Sequence, residues 1–281
     1  MQAVRVAHPS AGRAGPMTAL RMWFNGRPAT LDDVGALLTT QYGHFTSMQA
    51  RGGRVQGLQR HLARLQQATR ALFASDLDLD AARGWLCDAL GDADASVRMS
   101  VYSRAFDRER PLQPAAADLL LVLGPPRRIH AAPLRVCSVH GERTAPQLKH
   151  LGSFDLWYQR RLAQQRGYDD ALLVTADGEV AEGTIWNVGF VDADGIVWPT
   201  APALDGVSMQ LLKAGLTELG VAQTVRRVDL AEVGRFRGAF FTNSTCAVLP
   251  LAAIDAVAYT PDPATPALLA RAIATQPWEA P

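Results

Sequence analysis

From residue 171 to residue 200 the chain reads ALLVT, TADGE, EVAEGT, NVGFVD, DADG and IVWPT in nearly unbroken succession. Short runs rich in Val, Ile and Phe, separated by Asp-Gly turns, predict brief strands in a meander. The chain is also β-like from Met22, where an antiparallel sheet is expected. MWFNGRPA carries a strand and an Asn-Gly turn, and YGHFTSMQARGGRVQGL reads as a hairpin turning at Gly52-Gly53. ASVRMSVYSRAF and ADLLLVLGP are two further strands.

Helices are few and set apart from these strands. LQRHLARLQQATRALF places Leu58, Leu62, Leu65, Thr69 and Leu72 at helical spacing, and DLDAARGWLCDAL follows it. LDDVGALLTT is a short helical or irregular connector. Past residue 149 a helix is predicted with Phe154, Tyr158 and Leu162 facing one way. Another runs from about Gly206 to Leu219 and ends at Gly220, and a last one lies near 267–274. TVRRVDL, AFFTN and AVLPLAAID are strands. Strands and helices segregated in this way give an α+β class. The run PPRRIHAAP is the best boundary between two units. The division is an N-terminal extension over 1–20, an α+β domain over 21–124, a linker over 125–133 and an α+β domain over 134–281.

Composition narrows the function classes. A net charge of +1 draws the chain neither to nucleic acid nor to an anionic membrane, and no apolar run is long enough for a membrane span. Cys87, Cys137 and Cys246 are odd in number and far apart, so they read as reduced thiols of a cytoplasmic protein. The histidines form no metal pattern, so no metal site is assigned, and neither a P-loop nor a GxGxxG is present.

The basic residues are almost all arginine, so the two lysines stand out. Lys149 sits between Leu148 and His150-Leu151. That apolar setting lowers an amine's pKa and keeps it neutral, as Schiff-base chemistry with an aldehyde requires. Lys213 lies at the margin of an amphipathic helix, an ordinary solvated place. Glu182 is an isolated acid in VAEGTIWNVGF.

Together these phrases carry a resemblance. Lys149, GYDDALLV, DGEVAEGT and WNVGFV resemble the signature of the class IV (fold-type IV) pyridoxal-phosphate aminotransferases. That group includes branched-chain and D-amino-acid aminotransferases and aminodeoxychorismate lyase. The resemblance implies a two-domain fold like that of the D-amino-acid enzymes, with pyridoxal 5'-phosphate between the domains. Lys149 would form the Schiff base and shuttle the proton, and Glu182 would pair with the ring nitrogen. RHLARL resembles the family's H-x-x-R-L, which makes Arg64 the phosphate arginine; periodicity alone leaves it a solvated surface residue. LDGVSMQLL resembles the turn whose amides at Val207 and Ser208 face the phosphate at a helix N-terminus. In FTNSTCAVLP, Thr245 or Ser244 matches the phosphate-binding hydroxyl.

Some positions depart from the aminotransferase pattern. Phe154 stands where branched-chain enzymes have a tyrosine, and Gln49 where both relatives have an arginine. Ser47 falls where the lyase has a catalytic threonine, and the Asn243-Ser244 pair also resembles the lyase. The resemblance therefore implies an aminotransferase acting on an amino acid (or amine) and a 2-oxo acid, with a lyase that releases pyruvate as the alternative. A retired scaffold acting as a binding protein is the third reading. Relatives are homodimers, which implies one here.

Overall fold

The computed structural model describes residues 19–127, 132–260 and 262–281. The expected extension over 1–20 falls outside these apart from its last two residues, and the linker over 125–133 is described only at its ends.

In chain order the elements are β1 (Arg21–Phe24), β2 (Arg27–Pro28), α1 (Leu31–Thr40), β3 (His44–Arg51), β4 (Arg54–Gln56), α2 (Leu58–Phe73), α3 (Leu79–Leu90), β5 (Ala95–Tyr102) and β6 (Asp118–Gly124). Then follow β7 (Leu134–His140), α4 (Phe154–Gln165), β8 (Asp170–Val174), β9 (Val180–Gly183), β10 (Asn187–Val191), β11 (Ile196–Pro199) and α5 (Val207–Glu218). The last elements are β12 (Gln223–Arg226), a 3₁₀ turn (Leu230–Arg235), β13 (Gly238–Thr242), β14 (Leu249–Ile254), β15 (Val257–Ala258), α6 (Ala264–Ala274) and β16 (Trp278–Glu279).

The first sheet is antiparallel throughout, in the order β16-β4-β3-β5-β6-β1-β2. Asn25 and Gly26 both take positive φ, as a two-residue hairpin turn requires. Helix α2 lays Leu58, Leu62, Leu65 and Phe73 against this sheet, each at most 2% exposed. Burying each such side chain contributes about 1.5–3 kcal/mol. Strand β3 alternates strictly: His44, Thr46, Met48 and Ala50 are buried, while Phe45, Ser47 and Gln49 lie on its other, half-buried face.

The second sheet is mixed, in the order β12-β11-β10-β13-β14-β7-β8-β9 with β15 on β14. Here the expected continuous meander does not form. β8–β9 and β10–β11 are hairpins, but β9 ends the sheet while β10 pairs with β13 in its middle. Residues 184–186 break the run. Trp186 folds back so that its carbonyl accepts the Gly183 N–H at 2.8 Å and its indole N–H reaches Asp170 at 2.8 Å. Gly183 is what makes the fold-back fit: a Cβ there would lie 1.8 Å from the Trp186 ring. The strand expected from TVRRVDL is cut to four residues and runs parallel to β11. The C-terminal helix starts at Ala264, and the chain then returns to the first sheet through β16.

Helix α4 forms where the sequence predicts one. Phe154 and Tyr158 share a face as expected and stack with centroids 5.7 Å apart, and that face is outward, at 75% and 47% exposure.

Candidate active site

A cavity opens between the two sheets, and its walls are built from both. The outward face of β3 supplies Phe45 and Ser47, and β5 supplies Arg98. Helix α2 supplies Arg64. Its guanidinium turns from the margin of the apolar stripe toward Thr46 on β3 and lines the cavity, so the surface position suggested by periodicity is a wall of the cavity. The second sheet brings Glu182 on β9, Asn187 on β10, the start of α5 and the 243–245 loop.

Lys149 ends a loop that belongs to the second half of the chain but is fastened to the first sheet. The Phe45 N–H donates to the Lys149 carbonyl and the Leu151 N–H to the Gly43 carbonyl, both at 2.9 Å. The amine lies 4.9 Å from the centroid of the Phe45 ring. Burial pushes its pKa down to about 7, helped by the Arg64 and Arg143 guanidinium groups and opposed by Glu182. A large share of the amine is therefore neutral at neutral pH. Lys213 is not simply solvated as expected. Its ammonium lies 5.2 Å over Trp198, partly buried, and it does not line the cavity.

Glu182 is 7% exposed at its side chain. Burial pushes its pKa up; the Arg143 guanidinium, the Leu204 N–H and Lys149 oppose that. Arg143 Nε donates to its Oε1 at 3.2 Å, and the Leu204 N–H donates to Oε2 at 3.2 Å.

At the other end, Arg64 donates to the Thr46 hydroxyl, which lies 2.6 Å from His61 Nδ1. His61 is fully enclosed, and burial together with Arg64 holds its pKa well below the usual range, so it is neutral. Arg64 Nε is buried and has no hydrogen-bond partner among the described residues. An orphaned cationic donor of this kind is costly unless an anion completes it. Nearby, α5 begins at Val207, and among the described residues no side chain caps its first amides. Val207 and Ser208 are buried there, and Ser208 Oγ accepts from Thr242 Oγ1 at 2.9 Å. The turn before α5 is held by Asn187, whose amide donates to the Leu204 carbonyl at 2.7 Å; a Cβ on Gly206 would strike Asn187 Oδ1 at 2.1 Å. Asn243 accepts the Thr245 and Cys246 N–H groups at 2.9 Å and so shapes the loop bearing Ser244 and Thr245.

All eight residues singled out from the sequence (Ser47, Arg64, Lys149, Glu182, Val207, Ser208, Ser244, Thr245) line this one cavity. Phe154 does not; Ser153 and Trp157 line it instead. Sequence reasoning also missed Arg98, Arg127 and Arg143, all on the wall. Arg98 lies 3.6 Å over the Phe45 ring and donates to Ser100 Oγ at 3.2 Å, and the Arg127 N–H donates to Gln49 Oε1 at 3.1 Å. The alternation of β3 and β5 could have found Arg98, which stands opposite Ser47. The 141–149 loop has no pattern that would have found Arg143. With four arginines and Lys149 against Glu182 alone, the wall attracts anions.

A cofactor with an aldehyde, a basic ring nitrogen and a phosphate fits these donors. The neutral amine of Lys149 suits the aldehyde, the Glu182 carboxylate suits the nitrogen, and the orphaned Arg64 Nε with the uncapped α5 amides suits the phosphate. Comparison with known proteins points the same way. A probable branched-chain-amino-acid aminotransferase of Rickettsia bellii is 25% identical over 252 residues, covering 83% of this chain and 87% of that protein. Other such proteins of the genus match over 97 residues, so the chain spans about a third of their length. Among solved structures, the branched-chain aminotransferase of Thermoproteus uzoniensis, crystallised with norvaline, superposes with a TM-score of 0.80 at 19% identity over 92% of this chain and 94% of that one. The branched-chain amino acid aminotransferase of Thermobaculum terrenum in its PLP form superposes with a TM-score of 0.77 at 21% identity over 92% of both chains. The amino-transferase class IV family matches residues 43–254, and this chain belongs to that family of pyridoxal-phosphate enzymes.

Proposed function

We propose that the chain is an aminotransferase that moves an amino group between an amino acid, or an amine, and a 2-oxo acid. The observation that carries this reading is Lys149, a buried amine with a pKa of about 7 in a cavity that also holds Glu182 and Arg64. Pyridoxal phosphate, when bound, supplies the electron sink for the electrons left on the substrate's α-carbon. In this reading Lys149 Nζ takes the α-proton and later returns one. Glu182 holds the ring nitrogen protonated by keeping a negative charge beside it. Arg64, the Val207 and Ser208 amides and a hydroxyl of Ser244 or Thr245 bind the phosphate. Ser47, on the β3 face beside Phe45, takes the substrate side.

Purified protein incubated with the cofactor is expected to turn yellow and to lose that absorption with borohydride, leaving the adduct on Lys149. A panel of amino acids should then convert bound cofactor to its amine form with release of the matching 2-oxo acid. Ser47 in the cavity wall favours one second reading, a lyase. Pyruvate formed from aminodeoxychorismate without a 2-oxo acid acceptor would select it, and an adduct on Lys213 would overturn both readings.

Two domains are proposed, 21–124 and 134–281, meeting at the site, with β16 at the end of the second adding a strand to the sheet of the first. A homodimer is proposed from the aromatic face of α4, where Phe154, Trp157 and Tyr158 are 75%, 49% and 47% exposed beside the cavity. Three free thiols support a cytoplasmic setting. Among the described residues no helix is long and apolar enough to cross a membrane, and no metal-binding cluster occurs.

A further inference from the structure

Arg143 sits in a loop without helix or strand, yet its side chain is only 8% exposed. A guanidinium is rarely enclosed unless its donors are engaged, and here they are engaged in two directions. Nε reaches across to Glu182 Oε1 on β9 at 3.2 Å, and Nη2 donates back to the carbonyl of Pro146, three residues before Lys149. One side chain thus joins the strand that carries Glu182 to the loop that carries Lys149. The contact with Glu182 takes one carboxylate oxygen and the Leu204 N–H takes the other, so the carboxylate is fixed in rotation before any ligand meets it.

We propose that Arg143 is a positioning residue for the site, orienting Glu182 toward the ring nitrogen and setting the reach of the Lys149 loop. The proposal rests on the reading of Glu182 as the partner of that nitrogen. It also has an electrostatic side. The charged and titratable groups around Lys149 are Arg64 and His61 on α2, Arg98 on β5, Glu182 on β9, and Arg143 and His150 on its own loop. Of these, Arg143 alone forms an ion pair with Glu182. It opposes the burial that pushes Glu182 up, and it adds to the burial that pushes Lys149 down. Its loss moves both groups toward their protonated forms.

The test compares wild-type holoenzyme with R143Q and R143K. Two quantities are read: the pH midpoint of the bound cofactor's visible band, and the cofactor dissociation constant across the neutral range. In R143Q the midpoint is expected to rise by about one pH unit, and cofactor binding to weaken about tenfold, the more so as pH falls. R143K is expected to bring back the midpoint but not the affinity, because an ammonium on a longer stem lacks the planar fork that serves both partners. A wild-type midpoint in R143Q overturns the proposal, whatever happens to its affinity, since a purely structural arginine would move affinity alone. If R143Q does not fold, wild-type affinity in R143K overturns it. A wild-type protein that takes up no cofactor would instead overturn the aminotransferase reading.

Discussion

Lys149 should destabilise its own fold, and the size of that effect follows from its surroundings. Its pKa is about 7 in the folded chain against 10.5 for a free lysine. At 1.36 kcal/mol per pH unit the difference corresponds to about 5 kcal/mol. The amine faces a cavity open to water, so about half of that, roughly 2–3 kcal/mol, is the reasonable expectation. The sign is fixed by proton counting. Below pH 7 both folded and unfolded chains carry the ammonium, and the full cost of enclosing it is present. Between about 7 and 10.5 the unfolded chain binds the proton and the folded chain does not, so stability rises with pH until the cost is gone. Lys149→Met removes the titration. Urea denaturation of cofactor-free protein should therefore show the variant gaining about 2–3 kcal/mol over wild type near pH 7 relative to its standing near pH 10. Packing differences between Lys and Met are the same at both pH values and cancel in that comparison. A gap that does not change with pH would mean that the amine is not desolvated, and the neutral-amine argument would fall with it.

Two further outcomes are expected. Arg64→Met should weaken binding of pyridoxal phosphate by about 10–100-fold while leaving unphosphorylated pyridoxal nearly unaffected, because a charge-assisted contact contributes about 1.5–3 kcal/mol; equilibrium dialysis of both compounds reads it. Asp170→Asn should cost about 3 kcal/mol in urea denaturation: Asp170 is 1% exposed and accepts from Thr184, Trp186 and Arg160, and Arg160 would be left without its ion pair.

The parts of the fold legible in the sequence are those governed by local period and turn chemistry. The α2 stripe and the Asn25-Gly26 and Gly52-Gly53 turns follow from spacing and from φ alone. The broken meander does not. Nothing in TIW says that Trp186 will fold back to Asp170, sixteen residues earlier, and so turn β10 into the middle of the sheet. Arg64 shows the same limit from another side. Helical periodicity reports which face meets the helix's own sheet, and it says nothing about a long side chain at the margin of that face reaching Thr46 and the cavity wall. Phe154 shows that helical spacing reports a shared face but not its burial, since it stacks on Tyr158 as the spacing predicts and is 75% exposed. Arg143 has no periodic context at all, and only the fold reveals that it meets a carboxylate 39 residues away.

The two hydrogen bonds that fasten residues 149–151 to residues 43–45 carry a mechanical consequence. Lys149 travels with the first sheet, whereas Glu182 and the start of α5 travel with the second. Any hinge or slide of one sheet against the other therefore changes the span between the amine and the carboxylate. A ligand gripped at both ends would act as a strut across that joint, so the holo form should flex less than the empty one at this seam.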